Sequence, residues 1–317
     1  LGDIFGQMYL KTEGVFSSAI GASVTFIFLF ILFGAFLAKS GMGQLFNDLA
    51  LALAGHKQGG PAKVAVISSG FMGSINGTAV ANVVGTGAFT IPLMKKVGYD
   101  KNFAGAVEAS ASVGGQILPP IMGASAFIMA ETTGVSYGTI ALAAVLPALL
   151  YYLGVIAQVH FRAGRDNLKG IPKESLPIVK DVLKERGHLL LPIIGLVVLL
   201  FNNIPVSYAA FYTIILTIIV GSLRKSTRMS IRDVFDALAD GARQSLAVMS
   251  ACALVGIIIG VVSLTSFGSV LTSAIMSVGA GSLFLTLFFT MLASMLLGMG
   301  LPSIPAYIIT ATMAAPA

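Results

Sequence analysis

From Gln244 to Ala317 the chain runs for seventy-four residues without one Asp, Glu, Lys or Arg. A single membrane span takes about 20 apolar residues, and no soluble core of this size needs so long an uncharged run. The feature points to an all-α polytopic membrane protein. Hydrophobic residues make up 56% of the chain and charged ones 10%, against roughly a quarter charged in soluble domains. The net charge of +6 is therefore read by side of the membrane, as contact with membrane lipid, and no nucleic acid partner is expected. One cysteine, Cys252, excludes an internal disulfide, and three scattered histidines offer no metal-ligand spacing.

Other uncharged stretches place the crossings. Gly14 to Ala38 is long enough to span, Asn102 to Ala130 carries only Glu108, and Val135 to Val159 carries no charge. Two short spans fit between Arg186 and Arg224, turned by "NNIP" at Asn202 to Pro205. Seven Lys or Arg between Arg162 and Arg186 mark a cytoplasmic arm, residues 161–188. Walking back from it, Lys39, Lys57 and Lys63 fall on the same face as Lys95, Lys96 and Lys101. Both ends of the uncharged stretch Val64 to Met94 then lie inside, and its thirty-one residues fall short of the roughly 40 that two crossings take. A re-entrant hairpin over 64–94 is expected, with "GSINGTAVANVVGTG" at its tip.

Two amphipathic pieces lie between spans. "SIRDVFDALADGAR" has Ser230 and Asp233 in capping-box spacing, with Ile231, Val234, Phe235 and Leu238 on one face. Pro177 opens a similar piece with Ile178, Val179, Val182 and Leu183 opposite its charges. A solvated loop helix and an arm in the bilayer plane are both open to the sequence.

The chain also repeats itself weakly. "DIF" at Asp3 recurs as "DVF" at Asp233, the span 14–38 recurs at 244–264, and "GQLFNDLALALAG" from Gly43 resembles "GSVLTSAIMSVGAG" from Gly268. "GSING" at Gly73 is matched by "GMGLPS" at Gly298. Four features return in one order at nearly one offset, and the odd number of crossings between copies makes the second copy inverted. Inverted repeats with broken helices at their interface are a transporter's construction. The expected domains are a first repeat, 1–188, and an incomplete second repeat, 189–317, whose hairpin starts at about 282. The start without Met and the end at "TMAAPA" inside an apolar run are what a piece of a longer chain would have.

Three segments are candidates for chemistry. At the first tip, Ser74, Ile75, Asn76, Gly77 and Thr78 interrupt the helix, and their freed backbone groups need partners at membrane depth. A small hard cation would satisfy carbonyl and hydroxyl oxygens, and the half-helix beginning near Thr78 turns its positive end toward the same place. The bland alternative is a Gly-rich and Ser-rich helix contact. In "ASVGGQILPPIMG", Gly114 and Gly115 allow close backbone approach, and Pro119 and Pro120 remove two N–H donors. An unwound segment with unpaired carbonyls near Gln116 is expected to face the tip. Gln116 itself would serve substrate or bond a neighbouring helix. The third segment, "GMGLPSIPAY", supplies Gly298, Gly300, Pro302 and Ser303. Glu108 either lies buried in the membrane or reaches the cytoplasmic headgroups, and Asn82 reads as interhelical glue rather than a ligand. No phosphate-binding G-x-x-x-x-G-K-[ST] loop is present, so ion coupling is the natural energy source.

The block "GFMGSINGTAVANVVGTGAFTIPLMKKVGYDKNFAGAVEASASVGGQILPPIMGASAFIMAE" resembles the large membrane subunit of TRAP (tripartite ATP-independent periplasmic) transporters. It is most similar to the type fused to its small subunit and served by TAXI-class binding proteins. "LGMGLP" and "AYIITA", from Leu297 to Ala311, are similar to that family's second hairpin. The resemblance implies an elevator-type secondary transporter of the ion-transporter superfamily in the bacterial inner membrane. It would be a sodium symporter with no other cofactor, importing small organic acids such as carboxylates. An extracytoplasmic solute-binding protein would deliver them, and a small four-helix membrane subunit or fused domain would complete the assembly. Carried over, the substrate and ion clamp is Ser74, Asn76, Gly77 and Thr78 facing Gly114, Gly115, Gln116, Pro119 and Pro120, with Gly298, Gly300, Pro302 and Ser303 in the second half. The sodium ligands within that set stay open. The rival readings are an ion-coupled anion exchanger that needs no binding protein and a membrane-embedded enzyme using Glu108 and His160. The enzyme reading lacks a nucleophile and base pair in one segment.

Overall fold

Glycine and proline, more than charge, set where the helices of this chain stop. The computed structural model describes residues 2–202, 204–279, 281–299 and 303–313, and among them there are helices and turns and no strand. Contacts group the chain into two units, residues 29–242 and residues 1–28 with 243–317. This grouping by packing is separate from the repeat symmetry read from the sequence.

The first long helix, α1, is Ser18–Lys39 and contains a π-helical turn at Ser23–Ile27. Within the larger unit follow α2 (Met42–Ala54), α3 (Gly60–Asn76), α4 (Ala79–Val97), α5 (Lys101–Gly114), α6 (Ala124–Thr133) and α7 (Tyr137–Arg165). A short helix, α8 (Val179–Arg186), leads to α9 (Leu191–Phe201) and α10 (Val206–Ser222). Then come α11 (Ile231–Thr265), α12 (Phe267–Gly279), α13 (Leu283–Gly298) and α14 (Ser303–Met313). Among the described residues three helices, α1, α7 and α11, are long and apolar enough to cross a membrane.

Helices α3 and α4 form an antiparallel hairpin. Asn82 of α4 bonds the Ser69 carbonyl of α3 near the tip, and at the base the Tyr99 hydroxyl donates to the Gly59 carbonyl at 3.4 Å. The arms are longer than the uncharged core of the sequence. Helix α3 starts at Gly60 and buries Lys63, while α4 continues to Val97. At 1.5 Å per residue, the 17 and 19 residues give arms of about 26 and 28 Å, close to the roughly 30 Å of a hydrocarbon core. Counting only uncharged residues thus understates the hairpin, because the helix carries on through its flanking lysines, and arms of this length no longer separate a re-entrant hairpin from two crossings.

Alanine-rich faces let α3, α5 and α7 pack closely. Ala62, Ala65, Ala104, Ala111 and Ala163 share one buried cluster with Val107 and Tyr152. The Tyr152 hydroxyl donates to the Ala111 carbonyl, and that of Tyr151 to the Ser110 carbonyl, each at 2.8 Å. The basic segment after α7 folds back on the turn between α2 and α3. The Ile171 N–H donates to the Gly55 carbonyl at 2.8 Å, and the Gly59 N–H to the Leu168 carbonyl at 3.1 Å. Arg186 closes α8 against Asp48 of α2 at 3.7 Å.

The capping box at the start of α11 forms as its spacing requires. The Ser230 hydroxyl donates to the Asp233 carboxylate at 2.7 Å and the Ser230 N–H does so at 2.8 Å. The helix then runs unbroken for 35 residues, so "SIRDVFDALADGAR" extends the following span and is not a separate surface helix. In the second unit α12, α13 and α14 pack against one another. The interruption between α13 and α14 falls at the expected second tip, where Gly300 and Pro302 lie outside the described residues.

Candidate functional site

Two interrupted helices meet in the larger unit. Helix α3 ends because Gly77 takes a left-handed backbone (φ +68), which returns its N–H to the Gly73 carbonyl at 3.3 Å. Thr78 is extended, and α4 begins at Ala79 without a side-chain cap. The first N–H groups of a helix have no partner within it, so this N-terminus offers donors at the tip. Helix α5 ends at Gly114, tightens into a 3-10 turn over Gly115–Ile117, and is interrupted until α6 begins at Ala124.

These interruptions touch along a seam. The Met122 N–H donates to the Ser74 carbonyl at 3.2 Å. A Cβ on Gly115 would sit 2.4 Å from Gly73 Cα, so the two backbones are in direct contact there. The carbonyl oxygens of Gly77 and Met122 line the same seam, 3.4 Å and 3.3 Å from where a Cβ on Gly123 and on Gly77 would stand. Ser74 is buried and its hydroxyl donates to the Phe71 carbonyl at 2.8 Å, which leaves its oxygen lone pairs free to accept or ligate. Asn76, Gly77, Thr78 and Gln116 are half-buried.

One detail differs from the expectation of unpaired carbonyls near Gln116. The Gln116 carbonyl accepts the Gly123 N–H at 2.6 Å, and that of Gly115 accepts the Leu118 N–H at 3.3 Å. The Tyr137 hydroxyl contacts the carbonyls of Pro120 and Ile121. Proline removes donors but the loop folds back to supply others, which sequence spacing does not reveal. Pro119 and Pro120 are half-buried and line an apolar cavity of about 290 Å³ with Tyr137, Val145 and Phe201. Gly298 and Ser303, both half-buried, flank the interruption in the second unit.

Below the seam, Glu108 of α5 is wholly buried between the hairpin arms. Its carboxylate accepts from the hydroxyls of Ser69 at 2.5 Å, Thr90 at 2.5 Å and Ser112 at 3.3 Å, and from that of Thr86. The side chain of Glu108 is thus enclosed by α3, α4 and α5 and does not reach the protein surface. The Asn82 amide donates to the Ser69 carbonyl at 2.8 Å and to the Ser112 hydroxyl at 3.1 Å, joining three helices. Sequence reasoning did not single out Ser69, Thr86, Thr90 or Ser112. A signal was present: Asn82, Thr86 and Thr90 recur every four residues on α4, and Glu108 and Ser112 do so on α5, which makes polar stripes on apolar helices.

Among the described residues the chain is thus helical, with helices long and apolar enough to cross a membrane, and its larger unit is organised around two interrupted helices in backbone contact. The family model for the tripartite ATP-independent periplasmic transporter, DctM component, matches residues 3–317, and the chain belongs to this family. It is 31% identical over 171 residues to a putative TRAP transporter large permease protein of Haemophilus influenzae, covering 54% of this chain and 40% of that one. It is 26% identical over 180 residues to the 2,3-diketo-L-gulonate TRAP transporter large permease protein of Escherichia coli, covering 57% and 41%. To the C4-dicarboxylate TRAP transporter large permease protein of Vibrio cholerae it is 31% identical over 155 residues, covering 49% and 33%. The matched region spans less than half the length of each of these curated relatives, and all three are permeases rather than enzymes.

Proposed function

We propose that this chain is part of the membrane permease of a secondary transporter that imports small organic acids, carboxylates among them, coupled to sodium. The observation that carries the reading is the seam where Gly73, Ser74 and Gly77 meet Gly115, Met122 and Gly123. Backbone carbonyls suited to a small cation and the N-terminus of α4, suited to a carboxylate, converge there. The names of the relatives favour organic acids, since two of them are permeases for a diketo-gulonate and for C4-dicarboxylates.

In this reading the α3–α4 hairpin is re-entrant and the repeats 1–188 and 189–317 are inverted copies of an elevator-type, ion-transporter-superfamily fold. The second hairpin, with Gly298, Gly300, Pro302 and Ser303, contributes the other half of the clamp. An extracytoplasmic binding protein delivers the substrate, a small four-helix subunit or fused domain completes the permease, and the assembly is a multi-pass protein of the bacterial inner membrane. The test is uptake of radiolabelled organic acids into proteoliposomes holding the full-length permease, with and without an inward sodium gradient and an extracytoplasmic binding protein from the same organism. Uptake that requires both is expected. Uptake indifferent to the binding protein would favour a binding-protein-independent exchanger and defeat this assignment.

A further inference from the structure

The seam leaves the Glu108 cluster unexplained. Ser69 lies five residues before Ser74 on α3 and Thr90 twelve after Thr78 on α4, so the cluster sits about 8 to 18 Å along the arms from the tip. A buried carboxylate is tolerated when it is paired, and among the described residues no Lys, Arg or His forms an ion pair with Glu108. Lys63, in the first turn of α3, is engaged with His160 at 3.0 Å, and on α7 the Tyr152 hydroxyl is spent on the Ala111 carbonyl.

Counting hydrogens sharpens the point. Four hydroxyls surround the carboxylate, each with one hydrogen to give. The Thr86 hydroxyl is also within 2.8 Å of the Asn82 carbonyl, and that of Thr90 is 3.1 Å from the Thr86 carbonyl. With the Ser69 and Thr86 hydroxyls also 2.8 Å apart, seven oxygen contacts compete for four hydroxyl hydrogens. A further acceptor, Oδ1 of the wholly buried Asn82, has no partner at all. Exchanging its oxygen and nitrogen does not help, because the atom 2.8 Å from the Ser69 carbonyl must be the donor. The cluster is thus short of positive charge and rich in oxygen. Space is fitted to the acid as well: a Cβ on Gly87 would come within 3.1 Å of Glu108 Cγ.

We infer that Glu108 and the hydroxyls of Ser69, Thr86, Thr90 and Ser112, beside the buried amide of Asn82, form a cation site between the hairpin arms, separate from the seam, that takes one small monovalent ion. One carboxylate balances one unit of charge, whereas divalent ions call for more carboxylates and wider coordination. All the donors are hard oxygens, which suit sodium. The site rests on the proposed transport reading only for its role as a coupling-ion site. Its existence is a matter of binding.

The test is equilibrium binding of radioactive sodium to the purified full-length protein in detergent, without substrate or binding protein and against a choline background. The Glu108→Gln variant, checked for folding by its thermal unfolding, should bind one sodium fewer per chain. Thr90→Val, which keeps the acid and the side-chain shape, should keep the stoichiometry and weaken one sodium by about tenfold. If Glu108→Gln fails to fold, the Thr90→Val result carries the test. Unchanged stoichiometry in a folded Glu108→Gln, or unchanged affinity in Thr90→Val, would overturn the site. So would an infrared carboxylic acid band that is lost in Glu108→Gln yet persists in the parent at saturating sodium, because a proton would then be the resident charge. Failure of uptake in proteoliposomes with this sodium binding intact would sink the importer reading and leave the site standing.

Discussion

Replacing Gly115 by alanine isolates the contact on which the seam depends. Gly115 has φ −59 and ψ −26, a conformation alanine adopts without strain, so the substitution acts through the added methyl alone. That Cβ would lie 2.4 Å from Gly73 Cα and 2.6 Å from its carbonyl carbon, where ordinary contact begins at 3.4 Å. Both neighbours are backbone, so no side chain can swing aside and the helices must part by about 1 Å. Overpacking of this kind costs typically 1–3 kcal/mol, and the shift falls on the Met122 to Ser74 bond that joins the interruptions. Gly105, ten residues earlier on α5, is the control, because a Cβ there meets nothing within 4 Å. Alanine at 105 should be neutral or stabilising by up to about 1 kcal/mol. Thermal unfolding of the full-length protein in detergent should separate the two variants by several degrees, with Gly115→Ala the lower. Equal midpoints would refute the close approach of α3 and α5.

Three further outcomes are expected. Asn76→Leu should abolish sodium-dependent uptake with little loss of folded protein, as judged by size-exclusion yield, and normal uptake would remove Asn76 from the site. At the start of α11, outside the uncharged segment, hydrogen bonds from the Ser230 hydroxyl and N–H hold the Asp233 carboxyl below its ordinary value of 3.8. A depressed carboxyl stabilises the cap above pH 3.8 and the effect is lost as pH falls through the lower, folded value. Amide protection at 231–234, taken as the exchange rate relative to an unstructured amide at the same pH, should therefore fall on acidification below about pH 4, and Ser230→Ala should flatten that dependence. Thr86→Val should lower stability by about 1–3 kcal/mol through the loss of a bond to a carboxylate, whereas Val84→Ala, at a side chain 71% exposed, should stay within about 0.5 kcal/mol. Chemical unfolding of the pair checks both.

How much of this was readable in the sequence depended on whether the information is local. A helix stop is local, so Gly77 and the Gly114, Gly115, Pro119 and Pro120 cluster announced both interruptions, and the capping box at Ser230 announced the start of α11. The helical extent of the hairpin was less legible, because Lys63, Lys95 and Lys96 read as loop charges although the backbone continues through them. The pairing of carbonyls around Gln116 was not readable, since the Gly123 N–H and the Tyr137 hydroxyl that satisfy the loop come from its far end and from α7. The partners of Glu108 were hidden for the same reason. Ser69 and Thr90 are 39 and 18 residues away from it, so the polar stripes on α4 and α5 mark which faces are polar but not which hydroxyls meet the acid.

Hairpin arm α4 is polar inside and apolar outside. It buries Asn82, Thr86 and Thr90 and exposes Val80 and Val84, the reverse of an amphipathic helix in a water-soluble core. In lipid the exposed valines gain little by burial, because acyl chains are as apolar as they are. The association of α3, α4 and α5 must then come from close backbone packing, as at Gly73 and Gly115, and from the hydroxyl and amide bonds around Glu108. Such bonds are directional and have few alternative partners in hydrocarbon, so they fix the register of three helices against one another. If register is held this way, whatever occupies the oxygen cluster also sets the spacing of the arms that carry Ser74 and Thr78. Occupancy below the seam and geometry at the seam are then two readings of one packing arrangement.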